Sequence, residues 1–134
     1  DRERGHYLAL QEAIRQDLVS AAHGIYRGGL GIHLILMALA GDLGLEVDLS
    51  RIPASPGLRP DKILFSETCG RVLLTVDPQK QEAFERQMAG CICRPVGLVT
   101  KTQRVQFKNE GQALTKTRLK NFRAAFHRPF GDLA

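Results

Sequence analysis

The sequence has few of the residues that stabilise small folds through disulfide bonds or bound metal ions. Its 134 residues include three cysteines and no tryptophan, and aromatic side chains make up 6% of the chain. Cys69, Cys91 and Cys93 form no Cys-x-x-Cys pair, and an odd number without that spacing argues against a disulfide framework or a zinc site. We therefore expect reduced, packed cysteines rather than a redox or metal centre. Cys91 and Cys93 are two apart and would share one face of a strand.

Long hydrophobic runs are absent as well. The most apolar segment, residues 30–40, is far shorter than the roughly 20 residues that a membrane-spanning helix requires. The chain begins Asp-Arg-Glu-Arg, without an initiating Met or the apolar core of a signal peptide. We therefore expect a segment from within a longer polypeptide, no association with a membrane, and a cytoplasmic location.

The rest of the composition is typical of a globular domain. Hydrophobic residues make up 43% of the chain and charged residues 25%. A chain of 134 residues corresponds to one domain and can bury a hydrophobic core without disulfide bonds or a structural metal. We expect a single domain over residues 1–134, with irregular structure confined to the ends and to a Pro-rich loop at 53–60.

Positive charge is concentrated near the C-terminus. The formal net charge is +5, and between residues 101 and 128 Glu110 alone opposes Lys101, Arg104, Lys108, Lys116, Arg118, Lys120, Arg123 and Arg128. Such a stretch can bind phosphate or nucleic acid, form a solvated face, or contact an acidic neighbouring domain. The scarcity of aromatic rings argues against nucleic acid, because single strands are held largely by stacking.

Hydrophobic periodicity predicts alternating helices and strands. Helices are predicted at residues 3–18, at 29–40 (ended by Gly41 and Gly44), after the capping pair Asp77-Pro78, and after a cap at Thr115. Strands are predicted at residues 18–25, 45–49, 71–76, 92–100 and 104–108. This order predicts an α/β (α+β) architecture in which helices cover a sheet.

The first candidate site is a glycine-rich turn between a strand and the most apolar helix. It contains His23, Arg27, Gly28 and Gly29. Free N–H groups at a helix start attract phosphate, glycines let a ligand approach the backbone, and Arg27 adds a cation. The alternative is that the glycines allow tight helix–sheet packing and that His23 is structural. His33, inside the apolar helix, is expected to be structural too.

The second candidate site precedes the strand at 71–76. Ser66, Glu67, Thr68 and Arg71 form a polar cluster in which the carboxylate and the guanidinium can pair or can bind a polar ligand. The alternative is a capped turn with one salt bridge. The sequence contains no recognisable Ser-His-Asp triad, metal-ligand cluster or close pair of catalytic carboxylates, so no catalytic residue and no metal ligand are assigned.

The order of several motifs resembles the C-terminal domain of the aminoimidazole ribonucleotide synthase-related superfamily. The matching stretches are Ala-His followed by Gly-Gly-Leu at 22–30, Gly-Leu-Glu-Val-Asp-Leu at 44–49, Leu-Phe-Ser-Glu with Gly-Arg at 64–71, Ala-Phe-Glu at 83–85 and Val-Gly-Leu-Val-Thr at 96–100. The tail at 122–133, with Phe-His-Arg-Pro-Phe, is similar to the terminal helix of the phosphoribosylformylglycinamidine synthases within this superfamily. The resemblance spans residues 8–133.

This resemblance implies a three-layer α/β fold and an ATP-dependent ligase of purine biosynthesis. In such enzymes ATP activates the amide oxygen of formylglycinamide ribonucleotide, and glutamine-derived ammonia displaces that group to give the amidine. ATP and Mg²⁺ would bind mainly on domains outside this segment, with no cofactor on residues 1–134 alone. The implied partners are the N-terminal ATP-binding domains, a glutaminase and a second copy in a homodimer. The isolated segment is expected to be inactive.

The sequence departs from the superfamily pattern at the turn. Most relatives carry an Asp where Gly24 stands here, and a Ser-Asp pair where Tyr26 and Arg27 stand. The loss of this acidic character favours a phosphate-binding or structural role over a metal-linked one. His23, Arg27, Gly28, Gly29, Ser66, Glu67 and Arg71 are therefore predicted to be ligand-binding residues. Two alternatives stay open: a relative such as the hydrogenase-maturation dehydratase, which also has an Arg-Gly-Gly-Leu turn, and a non-catalytic interaction module.

Overall fold

A computed structural model describes residues 2–133, with side chains other than those of Arg2, Glu3, Phe130, Asp132 and Leu133. Its helices are α1 Arg2–Arg15, α2 Gly29–Gly41, α3 Pro60–Phe65, α4 Gln81–Gln87 and α5 Leu119–His127. Its strands are β1 Ala21–Gly24, β2 Gly44–Asp48, β3 Val72–Thr75, β4 Gly97–Thr100, β5 Arg104–Asn109 and β6 Gln112–Arg118. Short 3-10 turns follow at Leu49–Arg51, Pro78–Lys80 and Arg128–Leu133. The predicted mixed α/β class is confirmed.

The strands form two sheets. β1 and β3 pair antiparallel in a small sheet, while the large sheet has the order β4-β2-β5-β6. Within the large sheet, β2 runs parallel to β5, and the two outer pairs are antiparallel. No helix within residues 2–133 is long and apolar enough to cross a bilayer.

Helix α2 lies in the main core, as its apolar sequence predicts. Leu30, Leu34 and Ala38 pack with buried residues of the large sheet, among them Val47 and Val105. On the small sheet, Leu73 joins this cluster whereas its neighbour Leu74 joins a second cluster built by α1 and α4. Because successive strand residues point to opposite faces, β3 separates the two clusters. The β1–β3 sheet is therefore held from both sides.

One face of the large sheet carries no residue of either apolar cluster. Glu46, Gln106 and Lys116 are aligned across β2, β5 and β6, and Leu98 of β4 stands opposite Glu46. Side chains alternate along a strand, so this row lies on the face opposite the buried Val105 and Phe107. We call this face the outer face.

Strand β6 was not predicted, and it overturns the prediction of a helix cap at Thr115. Thr115 lies within β6, opposite Phe107, and α5 begins four residues later. The strand has no buried residue, so it lacks the apolar alternation that marks a half-buried strand. Its local signal is the two-residue turn Glu110-Gly111, where both residues have positive φ, the geometry of a tight hairpin.

The other predicted boundaries shift by a few residues. The strand predicted at 92–100 begins only at Gly97, so Cys91 and Cys93 share no strand face; all three cysteines are free thiols. Helix α2 ends on Asp42, in the left-handed conformation, rather than on the glycines. The N-cap role of Asp77 is confirmed, since its carboxylate accepts a hydrogen bond from Gln79 N at 2.8 Å.

Candidate functional site

Pairing of β1 with β3 brings the two predicted segments together. His23 stands opposite Leu73 and Gly24 opposite Val72 in the antiparallel register. One residue further on, Ile25 N donates a hydrogen bond to Arg71 O at 3.0 Å. The glycine-rich turn and the 66–71 loop therefore enter the same region from adjacent strands. We call them together the turn site.

The turn depends on glycine for its shape. Gly28 and Gly29 have φ angles of 90° and 74°, and Gly29 N donates to Tyr26 O at 3.1 Å. A Cβ on Gly29 would lie 2.6 Å from the carbonyl carbon of Phe65 and 2.8 Å from Leu64 O. The predicted close packing is thus present at Gly29, but its partner is the end of α3 rather than a sheet.

The amide that a phosphate would use is already bonded within the chain. Gly28 N donates to Glu67 Oε1 at 2.8 Å. The predicted alternative of a Glu67–Arg71 salt bridge is wrong among the described residues, because Arg71 turns elsewhere. Its Nε donates to Thr68 O at 3.2 Å, and its guanidinium also donates to Ser66 O. Arg71 therefore closes the 66–71 loop on itself.

Partial burial affects the electrostatics of this loop. Desolvation lowers the pKa of Arg71 from its ordinary value. Ser66 Oγ and Thr68 Oγ1 are 2.7 Å apart and share a hydrogen bond. Ser66, Thr68 and Arg71 are thus hydrogen-bonded within this loop, which leads into β3, and the salt bridge of the capped-turn alternative is absent among the described residues.

His33 is the residue whose part in the site the sequence did not reveal. It is buried, with 5% of its surface exposed. Its Nε2 accepts a hydrogen bond from Tyr26 N at 2.9 Å, and its Nδ1 lies 2.8 Å from His23 Nε2. The spacing of ten residues between two histidines carries no motif, so only the strand–turn–helix geometry brings the rings together.

The surface of the turn site is part cationic and part aromatic. Arg27 is exposed and has no ion-pair partner among the described residues. Tyr26 and Phe65 are 67% and 62% exposed. Within residues 2–133 no group of three His, Cys, Asp or Glu side chains could hold a metal. Among the described residues, the turn site offers the Arg27 cation and the His23 imidazole.

A second polar region lies on the outer face. Two adjoining shallow depressions of about 220 and 290 Å³ share Thr102 and Arg104. Their cationic lining residues are Arg104, Lys116, Arg118 and Lys120. These four have no salt-bridge partner in the part of the chain that the structure describes, whereas Lys108 pairs with Glu46. Part of the basic C-terminal stretch is thus a solvated, unpaired surface in this structure, whereas its Arg123 pairs with Asp42.

Comparison by sequence gives a family match. Residues 1–109 match the model described as AIR synthase related protein, C-terminal domain. The phosphoribosylformylglycinamidine synthase subunit PurL of Methanocaldococcus jannaschii is 32% identical over 134 residues, which is 99% of this chain and 18% of the relative. That of Thermococcus sibiricus is 40% identical over 85 residues, 63% of this chain and 12% of the relative. The chain thus spans less than a fifth of the length of these relatives.

Comparison by structure gives the same fold. Thermotoga maritima PurL complexed with FGAR has a TM-score of 0.79 at 22% identity, over 89% of this chain and 20% of that chain. Escherichia coli HypE, a hydrogenase maturation protein, has a TM-score of 0.66 at 18% identity, over 81% of this chain and 37% of that chain. Both likenesses are of fold.

Proposed function

The chain belongs to the AIR synthase related family, as its C-terminal domain, and from that premise we propose that it is the last domain of an ATP-dependent phosphoribosylformylglycinamidine synthase. The observation that carries the proposal is the 32% identity to a PurL subunit over 99% of this chain. The larger protein would convert formylglycinamide ribonucleotide to its amidine with glutamine-derived ammonia, in the cytoplasm.

Residues 1–134 would not perform this reaction alone. They correspond to 12–18% of the PurL subunits described above, so most of the enzyme lies outside them. Structures of T. maritima PurL with ATP and with ADP support a nucleotide site in such proteins. We assign ATP and Mg²⁺ mainly to the N-terminal domains of the same polypeptide, as the family resemblance implies. A glutaminase partner is supported by the PurLQS assembly of T. maritima.

Within this domain, the turn site would contact an anionic or acceptor group of the ribonucleotide. Arg27 is its free cation, and His23 adds a half-buried imidazole to the same site. Gly28, Gly29, Ser66, Glu67 and Arg71 shape the turn and the loop through the contacts described above. Since Glu67 already occupies Gly28 N, a phosphate would be held by Arg27 and His23 without that amide.

The exposed rings of Tyr26 and Phe65 favour a further role for the same surface. Large apolar groups at the rim of a polar site commonly mark a contact between domains. An N-terminal domain packed here would enclose the ligand between the two domains. The turn site would then supply binding and not bond-making chemistry.

The hydrogenase-maturation dehydratase is the alternative, because HypE shares the fold. Its likeness is weaker in both TM-score and identity than that of T. maritima PurL. The two functions differ in substrate, since only the synthase would use formylglycinamide ribonucleotide and ammonia. Turnover therefore distinguishes them.

The test uses the polypeptide that contains residues 1–134 together with its upstream sequence. We expect amidine formation from formylglycinamide ribonucleotide, ATP and ammonia by this longer protein, and none by residues 1–134. A matched deletion of this segment should abolish turnover. Turnover by residues 1–134 alone, or the absence of turnover of formylglycinamide ribonucleotide by the longer protein, would refute the proposal.

A further inference from the structure

His33 is the one buried polar residue among the described side chains, and it lies in the most apolar helix. Both of its ring nitrogens are engaged: Nε2 with Tyr26 N at 2.9 Å and Nδ1 with His23 Nε2 at 2.8 Å. A neutral imidazole has one donor nitrogen and one acceptor nitrogen. The partners therefore determine where each proton lies.

The direction of the hydrogen bonds follows from Tyr26. A backbone N–H can only donate, so His33 Nε2 accepts and carries no proton. Neutral His33 then has its proton on Nδ1 and donates it to His23 Nε2. Arg27 O, 3.2 Å from His33 Nε2, receives no proton in this arrangement. The bonds run one way, from Tyr26 to His33 to His23.

The same logic fixes the outer nitrogen of His23. Because Nε2 accepts, neutral His23 carries its proton on Nδ1. Among the described residues, the only buried side-chain nitrogen or oxygen without a partner is His6 Nε2. His23 Nδ1, which has no hydrogen-bond partner among the described residues, therefore reaches solvent.

We propose that His33 is a positioning residue that holds His23 in the Nδ1–H tautomer, so that the turn site, which also carries Arg27, presents a fixed neutral donor. Such a donor suits an acceptor oxygen of a phosphate or carboxamide. The tautomer stands on geometry alone, whereas its use in binding the ribonucleotide rests on the function proposed above.

The tautomer is measured on residues 1–134 labelled with ¹⁵N-histidine, by long-range ¹H–¹⁵N correlation NMR, which separates Nδ1–H from Nε2–H rings. We expect Nδ1–H for both His23 and His33. An Nε2–H ring at His23 in the unmodified protein overturns the proposal without any variant, so the test survives a variant that fails to fold.

Two substitutions separate positioning from packing. His33→Asn places an amide near the former Nδ1 and keeps a donor for His23, so the His23 tautomer should persist. His33→Leu fills the helix position but removes the donor, and His23 should move toward Nε2–H. An unchanged His23 in folded His33→Leu contradicts the proposal.

Whether the His23 donor contributes to binding of the ribonucleotide is tested in the longer protein. His33→Leu should raise KM for formylglycinamide ribonucleotide about fivefold to tenfold, the size of one neutral hydrogen bond, with kcat kept and His33→Asn restoring KM. An unchanged KM beside the expected tautomers rejects the binding role. Absence of turnover in the unmodified longer protein rejects the proposed function and leaves the tautomer intact.

Discussion

The turn site and the outer face of the large sheet are both polar, but their polar groups differ in pairing. Several of those at the turn site are bonded within the chain, whereas several charges of the outer face have no partner among the described residues. At the turn site, Glu67 bonds to Gly28 N and Arg71 bonds to carbonyls of its own loop. On the outer face, Arg104 and Arg118 stand directly opposite each other across two strands, and neither has an acidic partner among the described residues. Internal bonds give the turn site a fixed geometry, whereas the outer face contributes unpaired charge to the domain's surface.

The largest effect is expected where the turn site meets α3. Gly29→Ala should lower the free energy of unfolding by about 3 kcal/mol or more, because it combines an unfavourable φ with a Cβ pressed into backbone. Gly57→Ala is the matched control: its φ is 75°, but nothing lies within 4 Å of the new Cβ. It should cost about 1–2 kcal/mol.

Urea denaturation measures the free energy of unfolding of both variants and of the unmodified chain. Equal losses for Gly29→Ala and Gly57→Ala would show that the approach of α3 imposes no constraint on the turn.

A moderate effect is expected from breaking the link between the two segments of the turn site. Glu67→Ala should cost about 1 kcal/mol, since it removes a charge-assisted hydrogen bond at an exposed position. Glu67→Gln keeps an acceptor and should cost less. Glu82→Ala, which breaks an exposed helix pair with Arg86, should cost roughly 0.3–0.5 kcal/mol.

Hydrogen exchange at the Gly28 amide reports on the same bond. Exchange should be faster in Glu67→Ala than in Glu82→Ala. The same rate in both variants would mean that Glu67 does not hold the turn.

Acid should weaken the end of the large sheet through Asp48. Its carboxylate accepts hydrogen bonds from Ser50 Oγ at 2.6 Å and Ser50 N at 3.0 Å, which lower its pKa below the ordinary 3.8. A lowered folded-state pKa means that the stabilisation is present above pH 3.8 and is lost as the pH falls through the folded-state value. Asp48→Asn should therefore be less sensitive to acid than the unmodified chain below pH 4.

Urea midpoints at pH 7 and pH 3 test this for both proteins. Parallel losses of stability would contradict a role for the Asp48 carboxylate.

The smallest effect concerns the unpaired charges of the outer face. Arg118→Glu should stabilise the domain by about 0.2–1 kcal/mol, because a repulsive cross-strand pair becomes attractive. Lys116→Glu changes the net charge equally but faces neutral Gln106, so its gain should be smaller. The difference in Tm should shrink in high salt. Equal gains would indicate a response to net charge alone.

The sequence predicted those parts of the fold that carry local signals. Helix α2 is apolar nearly all round, and Asp77-Pro78 has the composition of a helix start, so both were found. Strand β6 was missed because it buries nothing, and α3 because six residues beside a Pro-rich loop give little periodicity. Local pattern identifies elements that bury a face; it is weak for short or exposed ones.

The site was predictable as a pair of segments but not as a network. His23 and Glu67 were predicted in two separate candidate sites, and it is the β1–β3 pairing that brings the two segments together. The bond from Gly28 to Glu67 joins residues 39 apart in the chain, and His33 meets His23 only through the turn. Such contacts depend on tertiary geometry that no spacing encodes.

The central claim is that the turn site binds the ribonucleotide through Arg27 in a larger synthase. The most direct measurement is KM for formylglycinamide ribonucleotide in the longer protein carrying Arg27→Gln, beside Arg51→Gln, which removes an exposed cation outside the turn site. The account predicts an increase on the order of tenfold for Arg27→Gln, the size of a charge-assisted contact, with kcat kept and Arg51→Gln unchanged. Identical KM values for the two variants would contradict it.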